Sequence, residues 1–330
     1  MKAIVCHNYG SPDVLKYEEI EEPAAGDNEV LIKVRAASVN PLDRSSMRGT
    51  PYLIRMMGGL RKPKDTRLGV DIAGRVEAVG KNVTHFKPGD EVFGMCRGAF
   101  AEYACTSESA LAMSVLAMKS ENVTFEQAAA VPVAAFTALQ GLRDKGKIQP
   151  GQKVLINGAA GGVGTFAVQI AKSFGADVTG VCSTRNVDMV RSIGADRVID
   201  YTQEDFTKSG QRYDLFFDCV GNHSLFACMR VLNPRGICVV VGGPNGRWLS
   251  PVDRLLKAFV LSWFGQNLVA FIAKPGKGDL AIMNELMEAG KVTPVIDKCY
   301  RLSEVPEAIR YLEKGHARGK VVITLDIGTN

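Results

Sequence analysis

The stretch from Gln152 to Gly175 constrains the chain most, because it reads as a strand, a glycine-rich turn and a helix in unbroken succession. Lys153-Val154-Leu155-Ile156-Asn157 is short, apolar and β-branched, as a strand buried on both faces requires. Gly158-Ala159-Ala160-Gly161-Gly162-Val163-Gly164 follows, and Thr165 to Phe174 then carries apolar residues at helical spacing up to Gly175. A pyrophosphate reaches the free amides of a helix N-terminus only where no Cβ stands between backbone and ligand, a need that Gly161, Gly162 and Gly164 meet. A glycine-rich structural turn is the other reading of this cluster. Asp177 to Cys182, which reads as the second strand of a βαβ unit, favours the dinucleotide, with contacts expected at Gly158, Ala160, Gly161, Gly162, Val163 and Gly164.

At the end of that second strand an NAD-specific protein would place Asp or Glu on the ribose hydroxyls. This chain has Ser183-Thr184-Arg185. A carboxylate would repel a 2′-phosphate, whereas a guanidinium and two hydroxyls offer it charge-assisted bonds, so the expected cofactor is NADPH. The alternative is an Arg185 that points into solvent.

At 330 residues and 46% hydrophobic composition the chain can build two domains with substantial cores. Its net charge of +5 is spread without a long basic run, which gives nucleic-acid binding little support. The eight cysteines are scattered, with no CxxC pair, and are expected as free thiols. Met1-Lys2-Ala3-Ile4-Val5 is already strand-like, so no leader is expected and the cytoplasm is the expected address.

From Lys2 to about Ser107, short alternating or β-branched runs separated by Gly, Pro, Asn and Asp predict an irregular all-β domain. It contains Gly69-Val70-Asp71-Ile72-Ala73-Gly74-Arg75-Val76-Glu77-Ala78-Val79-Gly80, Phe86-Lys87-Pro88-Gly89-Asp90 and Gly98-Ala99-Phe100-Ala101-Glu102-Tyr103. These segments resemble the GroES-like N-terminal domain of the medium-chain dehydrogenase/reductase superfamily, and Gly158 to Gly164 resembles its zinc-independent quinone oxidoreductase branch. The C-terminal Gly315-His316-Ala317-Arg318-Gly319-Lys320-Val321-Val322-Ile323 is similar to the reticulon-interacting mitochondrial members and their bacterial relatives.

The resemblance implies an α/β chain in three segments: residues 1–123 in the GroES-like domain, 124–270 in a Rossmann doubly wound parallel-sheet domain, and 271–330 returning to the first. It also implies a cleft between the lobes and, with the remaining expectations, a homodimer. No metal is expected. Where the zinc alcohol dehydrogenases carry a Cys ligand this chain reads Ser38-Val39-Asn40-Pro41-Leu42-Asp43, and where they carry Gly-His-Glu it reads Gly69-Val70-Asp71. One departure is the stretch Ala110 to Lys119, where Leu-Ala-Met occurs twice; a tandem duplication forming a surface bulge is expected there.

Several further contacts follow from the resemblance. Thr137 matches a family threonine beside the nicotinamide, the alternative being a helix threonine bonded to its own backbone. Tyr201 resembles the tyrosine that covers the adenine-ribose end, the alternative being a half-buried strand tyrosine. Cys219-Val220-Gly221 and Gly242-Gly243, at the carboxyl ends of further strands, are placed to line the dinucleotide cleft. Phe264 and Lys320 complete the expected cofactor contacts.

Residues 255–273 are mostly apolar, and nineteen helical residues would extend about 28 Å at ~1.5 Å each, close to the ~30 Å of a bilayer core. Lys257, Gly265, Gln266 and Asn267 interrupt the run, so a broken apolar helix roofing the site is expected rather than a transmembrane segment. Trp248, Phe259, Trp263 and Phe271 would make it a substrate lid.

With neither metal nor Ser-Tyr-Lys cluster, the reaction is expected to rely on the nicotinamide itself, its C4 fixed against an electrophilic carbon. Quinones and enones suit this, since their conjugation stabilises the arriving charge, and the expected partner is such a small apolar carbonyl compound. Asn40, Asp43 and Tyr52 match the family's substrate side; Asn40 and Tyr52 are expected to orient the acceptor oxygen, with water or Tyr52 giving the proton. A capped Asn-Pro turn and a surface tyrosine are the alternatives. A zinc-independent alcohol dehydrogenase or carbonyl reductase shares every cofactor motif, and a nonenzymatic NADPH-binding scaffold shares the fold.

Overall fold

The computed structural model describes residues 1–108, 114–242 and 268–325. Gly243, Trp248, Phe259, Trp263 and Phe264 lie outside the described residues, as do most of 255–273 and residues 109–113. The chain divides into two compact units, one of Met1–Val133, Lys274–Gly290 and Pro294–Asn330, the other of Ala134–Ala273 with Lys291–Thr293. The short helix Phe125–Ala129, opened by a capping box between Thr124 and Gln127, packs on strands Glu29–Val39 and Asp71–Val79. The first unit therefore runs past residue 123, as far as Val133.

The second unit holds a six-stranded parallel sheet in the order Arg197–Asp200, Asp177–Cys182, Lys153–Asn157, Tyr213–Asp218, Leu232–Val240, Leu268–Ala270. Counted along the chain this is 3-2-1-4-5-6, the doubly wound dinucleotide-binding order. Val154, Leu155 and Ile156 are fully buried, which is why that segment reads as an unbroken apolar run. Leu268–Ala270 corrects the expected roofing helix at its C-terminal end: Leu268 is buried, and the segment pairs in parallel with Cys238–Val240 as the sixth strand. Among the described residues no helix is long and apolar enough to cross a membrane.

The first unit contains a seven-stranded sheet organised on Glu29–Val39. Bulges between Leu31 and Ile32 and between Val34 and Ala36 divide that long strand. Its first half pairs with Tyr103–Ser107, its second half with the C-terminal strand Lys320–Thr324, and nearly its whole length with Asp71–Val79. Glu91–Met95 and Val115–Met118 extend one side, and Ile296–Arg301 the other. Lys2–Cys6 and Leu15–Glu19 form a separate antiparallel pair. Ile4, Val30, Ile32, Ile72, Phe100, Val321 and Ile323 belong to the core of this unit.

The expectation of a bulge at Ala110 to Lys119 is corrected in its second half: the second Leu-Ala-Met copy lies in strand Val115–Met118, with Leu116 buried against the sheet.

Candidate functional site

The glycine turn sits at the carboxyl end of strand Lys153–Asn157 and opens the helix Gly162–Ser173. Gly161 caps that helix with extended backbone, φ −84° and ψ 174°, and makes no side-chain cap bond. The first rung of the helix ladder is Thr165 N–H to Gly161 O at 2.9 Å. The amides of Gly162, Val163 and Gly164 precede it and have no partner within the helix. A Cβ on Gly164 would stand 2.0 Å from the Gly158 carbonyl oxygen, so Gly164 is glycine for close helix–turn packing. A Cβ on Gly161 would meet the same oxygen only at 3.4 Å, an ordinary contact. Among the described residues nothing crowds a side chain at Gly161, a phosphate approaching those amides would need that open space, and the residues present fit a dinucleotide.

The neighbouring strand end is built by side chains that sequence patterns did not single out. Asn157 Nδ2 donates to Asp218 Oδ1 at 2.9 Å and to Asn222 Oδ1 at 3.0 Å, while Asp218 Oδ1 also accepts from the amides of Val220 and Gly221. This lock fixes Cys219-Val220-Gly221 beside the glycine turn. Burial and the Asp218 carboxylate push the Cys219 thiol well above its ordinary pKa, so it is held as a thiol. A Cβ on Gly242 would lie 1.9 Å from the Cys219 carbonyl oxygen, so close backbone approach explains that glycine without a ligand.

At the end of strand Asp177–Cys182, Ser183 caps a single turn, Thr184–Asn186. Thr184 and Arg185 are exposed. The Thr184 hydroxyl lies 2.9 Å from that of Thr202, and hydrogen bonds led by Thr184 hold the Asp200 carboxyl below its ordinary pKa. Asp200, which neighbours Cys182 in register, thus places an acidic group beside this loop. Tyr201 lies just past strand Arg197–Asp200 and is 52% exposed, which removes the half-buried strand reading. A separate cavity of about 270 Å³ among Lys153, Asp177, Arg197, Arg212 and Tyr213 lies at the other ends of these strands, away from the glycine turn.

In the first unit, strand register assembles a buried polar cluster. Ser38 is opposite Asp71 on Asp71–Val79, and Val39 is opposite Val321, which brings Lys320 to Asn40. Ser38 Oγ and Asn40 Nδ2 donate to Asp71 Oδ2 at 2.7 and 2.9 Å, and Lys320 Nζ approaches the same oxygen at 3.3 Å and Asn40 Oδ1 at 2.6 Å. Asp71 Oδ1 accepts from the amide of Val133 at 3.1 Å, in the first turn of helix Pro132–Gln140. Thr137, half-buried, lies one turn further along that helix.

Three residues expected at the site lie in or beside this cluster. Asn40 is 2% exposed and both ends of its amide are engaged within it. Lys320 is 3% exposed with its ammonium held by Asn40 and Asp71. Asp43 accepts from the Asn40 amide at 2.7 Å and closes a capping box on helix Pro41–Arg48. Its other oxygen, Oδ1, is buried without a hydrogen-bond partner. Burial, reinforced by the Asp71 carboxylate, pushes its carboxyl up to about 7. Tyr52 is half-buried, with the Arg55 guanidinium 4.7 Å from its ring. Phe271 is half-buried beside the Lys145 ammonium, 5.9 Å from its ring.

Residues 26–134 match the family described as alcohol dehydrogenase GroES-like domain, and residues 193–323 the family described as zinc-binding dehydrogenase. Among the described residues, no three His, Cys, Asp or Glu side chains group as a metal site would need. The chain is 36% identical to the mitochondrial NAD(P)H oxidoreductase RTN4IP1 of Bos taurus, over 98% of this chain and 89% of that protein. It is also 36% identical to the 2-methylene-furan-3-one reductase of Solanum lycopersicum, over 98% and 79%. The solved quinone oxidoreductase of Coxiella burnetii superposes with a TM-score of 0.86 at 31% identity, covering 99% of both chains.

Proposed function

This chain belongs to the quinone oxidoreductase-like family of the medium-chain dehydrogenase/reductase superfamily, and from that premise we propose an NADPH-dependent enzyme that reduces a quinone or α,β-unsaturated carbonyl without a metal. That it is an NAD(P)H-dependent oxidoreductase follows from its relatives. The observation that supports the reading is the helix end at Gly161, where the amides of Gly162, Val163 and Gly164 have no partner within the helix and no described atom calls for the glycine.

Bound NADPH supplies a hydride from C4 of its nicotinamide. The amides of Gly162, Val163 and Gly164 bind the pyrophosphate at the positive end of the helix. Ser183, Thr184 and Arg185 take the 2′-phosphate, the guanidinium offsetting Asp200, and the exposed Tyr201 ring covers the adenine-ribose end. Thr137 stands by the nicotinamide. Asp71 of the Asp71–Lys320–Asn40 cluster accepts from the Val133 amide. Tyr52 orients the acceptor oxygen and passes it a proton, directly or through water. A conjugated acceptor requires apolar cover, for which Phe271 is a described candidate.

An assay of NADPH oxidation against quinones, enones, aldehydes and ketones tests the proposal. Turnover confined to the conjugated acceptors is expected. Equal turnover of simple ketones would instead favour a carbonyl reductase, and consumption with none would favour a binding protein.

A further inference from the structure

Residues 53–64 present an arrangement that the reduction site does not use. Leu53, Met56 and Leu60 are 51%, 69% and 72% exposed; the spacing of the first two sets them on one side of the helix Leu53–Gly58, and Leu60 follows directly after Gly59 ends it. The charged residue of that helix turns the opposite way. The Arg55 guanidinium lies 4.5 Å from the Tyr9 ring and 4.7 Å from the Tyr52 ring, and its Nε donates to the Gly49 carbonyl at 2.9 Å. Tyr9 Oη donates to the Gly59 carbonyl at 2.8 Å, tying the end of the segment down. A cation faces inward and aliphatic groups face water, the reverse of an ordinary surface helix.

Arg61, Lys62 and Lys64 follow at once and are exposed. None of the three pairs with a described carboxylate, and the adjacent Asp65 is already engaged by Arg67 at 3.2 Å. Aliphatic groups held outward beside cations that pair with no described carboxylate match a negatively charged lipid surface, where the first enter the headgroup–acyl boundary and the second meet phosphate. A two-fold contact with another copy would set these cations against each other. We propose that residues 53–64 dock the protein on an anionic bilayer. Tyr52 immediately precedes the segment, so docking places the proposed acceptor-binding residue next to a lipid phase. The substrate class is then an apolar quinone dissolved in that phase, and this last step rests on the reductase reading above.

Co-sedimentation of the full chain with vesicles of phosphatidylcholine alone, or with phosphatidylglycerol at 30 mol %, tests the docking without reference to catalysis. Wild-type protein should bind the anionic vesicles, more weakly at high salt, and leave the neutral ones. Lys62→Ala/Lys64→Ala should lower partition about 25-fold, at about fivefold per cation, and Met56→Ser/Leu60→Ser should also release the protein. Both variants should keep wild-type NADPH oxidation with a short water-soluble quinone and lose rate with a long-chain quinone carried in the anionic vesicles.

Failure of wild-type protein to bind anionic vesicles, or equal binding by both variants, overturns the docking. So does a change of oligomeric state in the Met56→Ser/Leu60→Ser variant, seen by light scattering, with vesicle binding intact. Vesicle binding that depends on the patch, together with no quinone turnover in either form, upholds the docking and refutes the reductase reading instead.

Discussion

The pair Lys320 and Asp71 offers a quantitative test of the buried cluster. Lys320 is 3% exposed and Asp71 fully buried, with the ammonium 3.3 Å from a carboxylate oxygen that also accepts from Ser38 and Asn40. Lys320→Met keeps the length of the chain and removes the charge, leaving the carboxylate buried without its cation. Loss of one partner of such a pair costs ~3–5 kcal/mol, a large part of the ~5–15 kcal/mol that stabilises a typical protein. Asp71→Asn strands the ammonium in the same way and replaces one acceptor oxygen by a donor. The double variant removes both charges, so its loss should fall short of the sum by ~2–3 kcal/mol. Urea denaturation followed by circular dichroism, on all four proteins at neutral pH, measures this coupling. Additive losses, within ~0.5 kcal/mol, would show that the two groups do not form an ion pair and would refute the account of the cluster.

Three further predictions concern the other groups. Arg185→Ala should weaken NADPH roughly ten- to a hundredfold and NADH much less, since a charge-assisted bond is worth ~1.5–3 kcal/mol; equal losses in titrations of both cofactors would release Arg185 from this role. Gly161→Ser should weaken NADPH by a similar roughly tenfold or more, because the new hydroxyl bonds the amides that phosphate would use, while leaving the melting temperature unchanged or raised by the better cap. A lowered melting temperature with unchanged affinity would instead make Gly161 a packing residue. Asp43, raised from 3.8 to about 7 in the folded state, retains a proton that the unfolded chain gives up near pH 4. Its stabilising contribution is therefore complete below about pH 4 and is lost as pH rises through about 7. Asp43→Asn should flatten the fall in stability over that interval, and equal slopes in the two proteins would remove Asp43 as its source.

What the sequence made legible was local. Lys153 to Phe174 carries its strand, turn and helix in adjacent residues, and the parallel sheet follows because each apolar run is short enough to be a strand and long enough to be covered on both faces. The cluster around Asp71 was not legible as a unit. Asn40 and Lys320 are 280 positions apart, and only the antiparallel register of Lys320–Thr324 on Glu29–Val39 makes them neighbours. Asn40-Pro41-Leu42-Asp43 allowed either a capped turn or a substrate group, and the structure builds a capping box there with both polar side chains buried. Gly164 and Gly242 looked like ligand glycines, although the carbonyls of Gly158 and Cys219 account for them. Asn157 and Asp218 escaped notice because a polar residue ending a buried strand has no periodic signature, yet together they shape the loop at Cys219.

Direct transfer of hydride without a metal is the central claim, and it is read most directly with NADPH carrying deuterium at C4 of the nicotinamide. The protein would be freed of metal by chelator, checked by elemental analysis, and mixed with an α,β-unsaturated ketone. Deuterium should appear on the β-carbon of the saturated product at an undiminished rate. Deuterium on the carbonyl carbon, or turnover that ceases in chelator and returns with added zinc, would contradict the account.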